Sequence, residues 1–316
     1  MHEKAAAALR NLCWDDSRNR DSVQECGGVA ALVRLLAPGG TDAVQEWAAA
    51  VLCTLCFYNA RNRDDMRECG GIAALVGLLA PGGSALLHEL VAKALRNVCM
   101  DNAQNAVCVR WCGGIAPLVG LLAPSGPAAM HEQAAAALAN VCSDNAQNRD
   151  GVRESGGIAA LVGLLAPGGS AALHEQAARA LRNVCANNAQ NAVCVRWCGG
   201  IAALVGLLAP DNPAAVHEHT AAALRSVCYK NAMNKDCVKE CGGVAALVAL
   251  LAPGGSAAVH EQAAGTLLNL TSESEQCQEA VRAYGGVAAL ERVLACASSA
   301  AAHDWASAAL RNLGHV

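Results

Sequence analysis

Apolar and polar positions follow one order that returns along the whole chain. A short, mostly polar segment ends in two adjacent glycines, a short apolar segment follows, and a longer segment with helical apolar spacing completes the unit. The glycine pair recurs every 43 residues, from Gly27-Gly28 to Gly285-Gly286, without an insertion or a deletion. A constant period of this length indicates a repeat protein, in which each unit buries its apolar face against its neighbours.

Each unit predicts two short helices before its longer segment. In residues 189–231, Asn188 suits the N-cap of a first helix that ends near Cys198. Gly199 then suits the left-handed position that follows a helix. A second helix is predicted over 201–208, because a proline follows and stops it.

The longer segment predicts a third helix, from near Ala215 to about Cys228. In the parallel unit, Ala177, Leu181 and Val184 fall on one face at helical spacing, which predicts the side that packs into the core. The chain is therefore predicted to be all-α, with three helices in each 43-residue unit.

The sequence resembles the armadillo repeat family. The segment GGIAALVGLLAP, followed by HEQAARALRN, has the diglycine that separates the first two helices of that repeat, whereas HEAT repeats of similar length lack it. The resemblance implies a right-handed superhelical solenoid whose third helices line a concave groove. It predicts one domain over 1–316, with these parts: a partial repeat at 1–16, full repeats at 17–59, 60–102, 103–145, 146–188, 189–231 and 232–274, and a C-terminal capping repeat at 275–316.

The two ends of the array differ. The last unit carries Glu291-Arg292 where its neighbours have apolar or small residues, which is typical of a cap whose outer face meets water. Residue 1 falls inside a predicted third helix without its partners. We therefore expect either a fragment of a longer protein or another segment that covers the first unit.

Composition limits the classes of partner. A net charge of -4 and 3% aromatic residues give no basis for nucleic-acid binding, so we expect no such partner. The 17 cysteines fall mostly in three columns of the repeat, which predicts buried free thiols and a reducing compartment. Neither a signal peptide nor a membrane-spanning apolar run is apparent, and we predict a cytoplasmic or nuclear location without membrane insertion.

One column of the third helix is a candidate binding row. Counting 100° per residue places it opposite the apolar face, and an amide there offers both a donor and an acceptor. In importin alpha, an armadillo protein, such a row holds the main chain of a bound peptide. The alternative is that the amides bond to a neighbouring helix or to water. The row consists of Asn11, Asn97, Asn140, Asn183, Asn269 and Asn312.

Further candidates flank this row. Importin alpha has a tryptophan four residues earlier, but this chain has small or basic residues such as Lys93 and Gly265 there, so a nuclear-import receptor is not expected. Trp47 and Trp305 lie seven residues before the row. The charged candidates suggest opposite ligands: Asp101 and Asp144 for a basic side chain, and Arg96, Arg179 and Arg182, with Lys93, for an acidic one. Solvated salt bridges are the simpler explanation of these charges, so the charge of the ligand stays open.

Repeated histidines and cysteines raise a metal hypothesis. Histidine opens the third helix in most units, but neighbouring units lie about 8–10 Å apart, too far for shared ligation of one zinc ion. We predict a structural hydrogen bond for this column. The cysteine pairs four residues apart lack the spacing of a complete site: Cys108/Cys112, Cys194/Cys198 and Cys237/Cys241. Trp111 and Trp197, at positions that are usually glutamate, are either partner anchors or relics of duplication.

These observations favour a scaffold that binds extended segments of partner proteins along the third helices, with no enzymatic activity. We expect no cofactor, metal or small-molecule ligand. Two alternatives stay open: a metal- or redox-responsive protein that uses its cysteines and histidines, and the targeting module of a larger enzyme such as a ubiquitin ligase.

Overall fold

The computed structural model describes residues 11–13, 16–57, 59–296 and 299–315. Within these residues the regular structure is entirely α-helical, and the helices follow one another in triplets, as predicted. Most of the predicted partial repeat at 1–16 lies outside the described residues.

The helices occupy three positions in each repeat. The first helices are α1 (Ser17–Glu25), α4 (Ala60–Glu68), α7 (Ala103–Trp111), α10 (Ala146–Glu154), α13 (Ala189–Trp197), α16 (Ala232–Glu240) and α19 (Glu275–Ala283). The second helices are α2 (Gly28–Arg34), α5 (Gly71–Gly77), α8 (Ile115–Gly120), α11 (Gly157–Gly163), α14 (Gly200–Gly206), α17 (Gly243–Ala249) and α20 (Gly286–Cys296). The third helices are α3 (Asp42–Cys56), α6 (Ala85–Val98), α9 (Ala128–Val141), α12 (Ala171–Cys185), α15 (Ala214–Cys228), α18 (Ala257–Thr271) and α21 (Ala300–Asn312).

The chain divides into two compact units, residues 1–160 and residues 161–316. In the first unit, α3, α6 and α9 pack side by side, and Leu55, Leu95 and Leu138 are completely buried on them. In the second unit, α12, α15, α18 and α21 pack in the same way around fully buried leucines such as Leu224. The third helices therefore form the core of each unit.

The two glycines of each pair serve different purposes. Gly199 has a φ of 74°, in the left-handed region that glycine adopts without strain. Gly200 begins α14 where a Cβ atom would lie 2.7 Å from side-chain atoms of both Val162 and Val195. The first glycine is needed for backbone conformation and the second for close packing between helices.

Capping explains where the helices begin. The Asn188 side chain accepts a hydrogen bond from the backbone N–H of Asn191, which confirms the predicted N-cap of α13. The predicted bounds of the three helices in this repeat differ from the observed ones by at most two residues. Strong caps and glycine stops account for this agreement.

The histidine column forms the predicted structural hydrogen bond. Nε2 of His131 lies 2.8 Å from the carbonyl oxygen of Ala123, in the loop before its helix. Gln45 replaces histidine in its repeat and donates from Nε2 to the carbonyl oxygen of Ala37 at 3.0 Å. Both residue types therefore fasten the loop between the second and third helices. The remaining histidines with this contact are His88, His174, His217 and His260.

The cysteine columns are only partly buried. All 17 cysteines are free thiols, and the column at the end of the third helices is buried as predicted: Cys13, Cys56, Cys99, Cys142, Cys185 and Cys228. The expectation of core positions is wrong for the other two columns, whose thiols are intermediate or exposed, for example Cys112 and Cys198. These thiols lie on the short first helices or directly after them, nearer to water than the third helices. No helix in the described part of the chain combines the length and the apolar character needed to cross a bilayer.

Candidate functional site

The asparagine row of the third helices contacts the preceding repeat. Asn97 and Asn140 are only 3% and 5% exposed. Their Nδ2 atoms donate to the carbonyl oxygens of Cys53 and Arg96, at 2.9 and 2.8 Å. The predicted position away from the core is therefore wrong for both residues, and their amides form the bond to a neighbouring helix that was the alternative. The reason is that the last carbonyls of a helix lack a partner within it, and a side-chain amide on the next helix supplies one.

The second unit repeats this arrangement with more exposure. Asn269 is half-buried, and its Nδ2 donates to the carbonyl oxygen of Arg225 at 2.9 Å. Asn312 donates instead to Oγ1 of Thr271 at 3.3 Å, and Asn183 is half-buried on α12. Asn11 is exposed. Peptide binding by the row stays a prediction, and the amide acceptor of Asn269 is the part available for it, since within the described residues Oδ1 makes no hydrogen bond.

A second asparagine column, on the first helices, was missed by the sequence analysis. Asn105 is fully buried, and its Nδ2 donates to the carbonyl oxygens of Val98 and Arg63 at 2.9 and 2.8 Å. Nη1 of Arg67 donates to its Oδ1 at 3.1 Å. The signal was present, because an asparagine follows each N-cap asparagine by three residues, but its partners lie on other helices. The other fully buried members are Asn62, Asn148, Asn191 and Asn234.

Asp101 and Asp144 have a structural role that the sequence analysis did not predict. Both have a φ of 49°, in the left-handed turn between a third helix and the next first helix. Aspartate and asparagine tolerate this conformation better than most residues, which accounts for aspartate at these two positions without a ligand. A peptide contact by these carboxylates stays a prediction.

The basic candidates lie on two third helices, α6 and α12. Nη1 of Arg96 donates to Oε1 of Gln133 at 3.1 Å, and Nη1 of Arg179 donates to Oε1 of Gln176 at 3.3 Å. Arg182 is half-buried on α12. These contacts join one third helix to the next or run along one helix, so the arginines lie on the helix surface rather than in the core.

A surface cavity of about 320 Å³ lies on the third helices of the second unit. Its lining residues come from four successive repeats, and they include the predicted Asn269 and Trp305. The other lining residues are Ala186, Asn187, Arg225, Ser226, Tyr229, Gly265 and Leu268. We call this the third-helix cavity.

A tryptophan, a glycine and an arginine from three repeats form one side of this cavity. The guanidinium carbon of Arg225 lies 4.4 Å from the centroid of the Trp305 ring. A Cβ atom on Gly265 would lie 2.6 Å from Cε3 of Trp305 and 3.1 Å from Cδ of Arg225. Gly265 therefore leaves the space that the indole and the arginine occupy. The tryptophan that is absent from the Gly265 column is replaced here by Trp305, which belongs to a different column of the next repeat.

Positive charge is concentrated beside the third-helix cavity. Burial, followed by the charge of Arg182, lowers the pKa of Arg225, while Glu261 opposes this shift. Burial, followed by Arg179 and Arg182, lowers the pKa of His219 to about 4. His219 is therefore neutral at neutral pH, and its Nε2 contact with Glu175 at 3.9 Å is not an ion pair there.

Metal binding finds little support in the described residues. They contain no group of three or more histidine, cysteine, aspartate or glutamate side chains placed to hold a metal ion. In the Cys108/Cys112 pair, burial and then the neighbouring thiol raise the pKa of Cys108 to about 11. Such a thiol is protonated at neutral pH and is a weak ligand or nucleophile.

The two exposed tryptophans are not among the lining residues of the cavity. Trp111 on α7 is 76% exposed and Trp197 on α13 is 74% exposed. Whether they are anchors or relics stays open.

Comparisons with known proteins agree with this geometry. The sequence matches the family model of the Armadillo/beta-catenin-like repeat over residues 102–143, 145–186 and 231–272. No curated protein matches it. The crystal structure of an engineered protein superposes with a TM-score of 0.88 at 28% identity, over 99% of this chain and 74% of the other.

Two further solved structures are designed proteins. One is a designed armadillo repeat protein in complex with the peptide (KR)4, with a TM-score of 0.68 at 22% identity, over 77% of this chain and 99% of the other. The other represents computationally designed armadillo repeat proteins for modular peptide recognition, with a TM-score of 0.67 at 23% identity, over 76% and 99% of the two chains. Stacked three-helix repeats with a diglycine define the class of α-helical repeat proteins. Within that class, this chain contains three repeats that match the armadillo family model, and it has the fold of solved armadillo repeat proteins.

Proposed function

We propose that this protein binds an extended segment of a protein partner at the third-helix cavity, and that its role is binding rather than catalysis. The observation that carries the proposal is the cavity itself. Its volume of about 320 Å³ is at the lower end of the range for ligand pockets, which suits one or two side chains rather than a large cofactor.

The lining of the cavity suits a peptide. Trp305 and Leu268 offer apolar surface, and Tyr229 offers a hydroxyl beside it. Oδ1 of Asn269 can accept a hydrogen bond from a main-chain N–H of the ligand, because Nδ2 already donates to Arg225. Tryptophan, tyrosine and arginine are also the residues that most often dominate binding energy at interfaces.

The arrangement of the cavity favours an extended ligand. Its walls come from the residues directly after α12 and from α15, α18 and α21. These four third helices pack side by side about 8–10 Å apart. A chain in extended conformation advances about 3.3 Å per residue, so a few residues pass from one helix to the next. The same fold holds a peptide in the designed protein with (KR)4, which supports a binding role.

The test begins with selection of peptides from a display library against the full chain. Affinities of the selected peptides are then measured by fluorescence anisotropy. We expect W305A to raise Kd at least tenfold, since it removes the aromatic wall. W197A removes an equally large side chain that is 74% exposed and lies outside the cavity, and we expect it to change Kd less than twofold.

A second variant tests the cavity without removing the indole. G265A places a methyl group 2.6 Å from Cε3 of Trp305 and should displace the ring, so we expect weaker binding with unchanged helicity. Failure to select any peptide with the wild-type chain would overturn the proposal. Equal loss of affinity in W197A and W305A would overturn it as well.

A further inference from the structure

The charge distribution at the third-helix cavity defines the kind of segment that it accepts. This inference rests on the proposed function. Among the described residues that line the cavity, Arg225 alone carries a charge. Arg182 lies close enough to influence its pKa, and Lys230 places Nζ 5.3 Å from the centroid of the Tyr229 ring, at the edge of the cavity.

Neither arginine is neutralised within the described residues. No carboxylate in the part of the chain that the structure describes lies within 4.0 Å of the guanidinium of Arg225 or Arg182. The nearby acidic groups have other contacts. Glu175 accepts a hydrogen bond from Nε2 of Gln176 at 2.8 Å, and Glu261 accepts one from Oγ of Ser299 at 2.6 Å.

Stacking on Trp305 prepares Arg225 for an anion. The guanidinium carbon lies over the indole ring, and an arginine that stacks on an aromatic face keeps its in-plane N–H groups for another partner. Within the described residues these N–H groups donate to no acceptor. A carboxylate can accept two parallel hydrogen bonds from such an arginine, and this pairing is stronger than a contact with a neutral amide.

His219 does not add to the positive charge at neutral pH, but it also offers no negative charge. The arginines on α12 and α15 therefore set the sign of the potential here. We propose that the third-helix cavity selects an acidic segment, with an aspartate or glutamate side chain paired to Arg225 and a second one near Arg182. This preference is opposite in charge to the peptide (KR)4 held by the designed armadillo protein.

The test uses four labelled peptides of equal length with blocked ends: (Ser-Glu)4, (Ser-Gln)4, (Ser-Lys)4 and (Lys-Arg)4. We expect (Ser-Glu)4 to bind the full chain at least tenfold more tightly than the other three, with an affinity that falls as salt is added. Two further peptides identify the source of the anion. One is (Ser-Gln)4 with a free C-terminal carboxylate, and the other carries phosphoserine in place of glutamate. Tighter binding of either than of (Ser-Glu)4 would overturn the preference for acidic side chains.

Variants assign the effect to the cavity. R225Q should weaken binding of (Ser-Glu)4 about tenfold, which corresponds to one charge-assisted pair of about 1.4 kcal/mol. R225K keeps the charge without the two parallel donors and should lie between R225Q and the wild type. R292Q removes an exposed arginine of α20 and should leave Kd within twofold. R182Q leaves the contact between Arg225 and Trp305 in place, so it repeats the test if R225Q fails to fold.

The outcomes separate this inference from the proposed function. If library peptides bind in a manner sensitive to W305A but are neutral or basic, the preference for acidic segments is wrong and peptide binding stands. If no peptide of any charge binds, both are wrong. If (Ser-Glu)4 binds equally to R225Q, R182Q and the wild type, the cavity is not its site and the inference is overturned.

Discussion

Single polar side chains in this protein act mostly on backbone carbonyl groups. Asparagines, histidines and one glutamine donate to carbonyl oxygens at helix ends or in loops, as Asn97 does to Cys53 and His131 does to Ala123. A buried carbonyl without a partner costs about 1–3 kcal/mol, so each of these side chains prevents a substantial loss of stability. These side chains recur along the chain because the helix ends and loops that they bind recur in each repeat.

His219 is expected to make stability fall in mild acid. Its pKa is about 4 in the folded protein, below the usual value of 6.5, because burial and then Arg179 and Arg182 disfavour its charged form. Between pH 6.5 and pH 4 the unfolded chain therefore takes up a proton that the folded protein does not. The contribution is present above pH 6.5 and is lost as the pH falls to 4, by about 1–3 kcal/mol in total.

The variant H219Q tests this expectation. Glutamine is the residue at the equivalent position of neighbouring repeats, for example Gln176 and Gln262, so the fold accommodates it. Urea denaturation at a series of pH values should show a shallower loss of stability in H219Q than in the wild type. Parallel pH profiles for the two proteins would show that His219 does not contribute.

At the residue scale, the sequence predicted which residues share one column of the repeat better than it predicted their hydrogen-bond partners. The helical spacing correctly placed Asn97 and Asn140 in one column, yet the hydrogen bonds of this column reach residues 44 positions earlier. Trp305 and Gly265 were both visible as exceptions to their columns. Their contact could not be predicted, because it depends on how far the indole reaches across to the preceding helix.

The C-terminal end of each third helix is the element-scale feature that joins repeats. Asn105 donates to Val98 at the end of α6 and to Arg63 on α4, and it also accepts a hydrogen bond from Arg67. Asn97 donates from Nδ2 to the carbonyl oxygen and to the sulfur of Cys53. The first-helix asparagine therefore joins more groups than the third-helix asparagine does.

This difference predicts unequal effects of two alanine substitutions. N105A should lower the free energy of unfolding by about 3 kcal/mol, because it leaves the buried carbonyl of Val98 without a partner and also removes the contacts with Arg63 and Arg67. N97A should cost about 1 kcal/mol for its single carbonyl contact. Urea denaturation followed by circular dichroism measures both, with exposed Gln104 as the control: Q104A should stay within about 0.5 kcal/mol of the wild type. An equal cost for N97A and N105A would contradict this account.

The helices themselves followed from local signals. N-cap asparagines, left-handed glycines and prolines act within a few residues, so their effect is visible in sequence. The last repeat shows the effect of losing one of these signals. Its second helix, α20, extends from Gly286 to Cys296, longer than the others, because the proline that stops its counterparts is missing.

Across the molecule as a whole, the exposure of a cysteine thiol depends on its column in the repeat. Cysteines that end the third helices are buried, and burial raises the pKa of Cys56, Cys99, Cys142 and Cys228. Cysteines before the glycine pairs lie nearer to water, and Cys26, Cys198 and Cys241 are exposed. Since the thiolate is the reactive form, reactivity should follow these columns.

Limited alkylation with iodoacetamide, analysed by peptide mass spectrometry, tests this pattern. We expect the exposed thiols to be modified first and the buried column to react only after denaturant is added. The fully unfolded protein is the control, in which all 17 thiols should react. Uniform labelling of the native protein would show that the third helices open far more readily than their packing indicates.

The direction of the inter-repeat hydrogen bonds has a consequence for synthesis on the ribosome. In the described residues the donor amides belong to the later repeat and the carbonyls to the earlier one, as with Asn105 and Val98. The last carbonyls of a newly emerged third helix therefore have no amide donor until the next repeat has left the ribosome. During a translational pause at a repeat boundary, the third helix nearest the exit tunnel would be the one whose last carbonyls lack these donors.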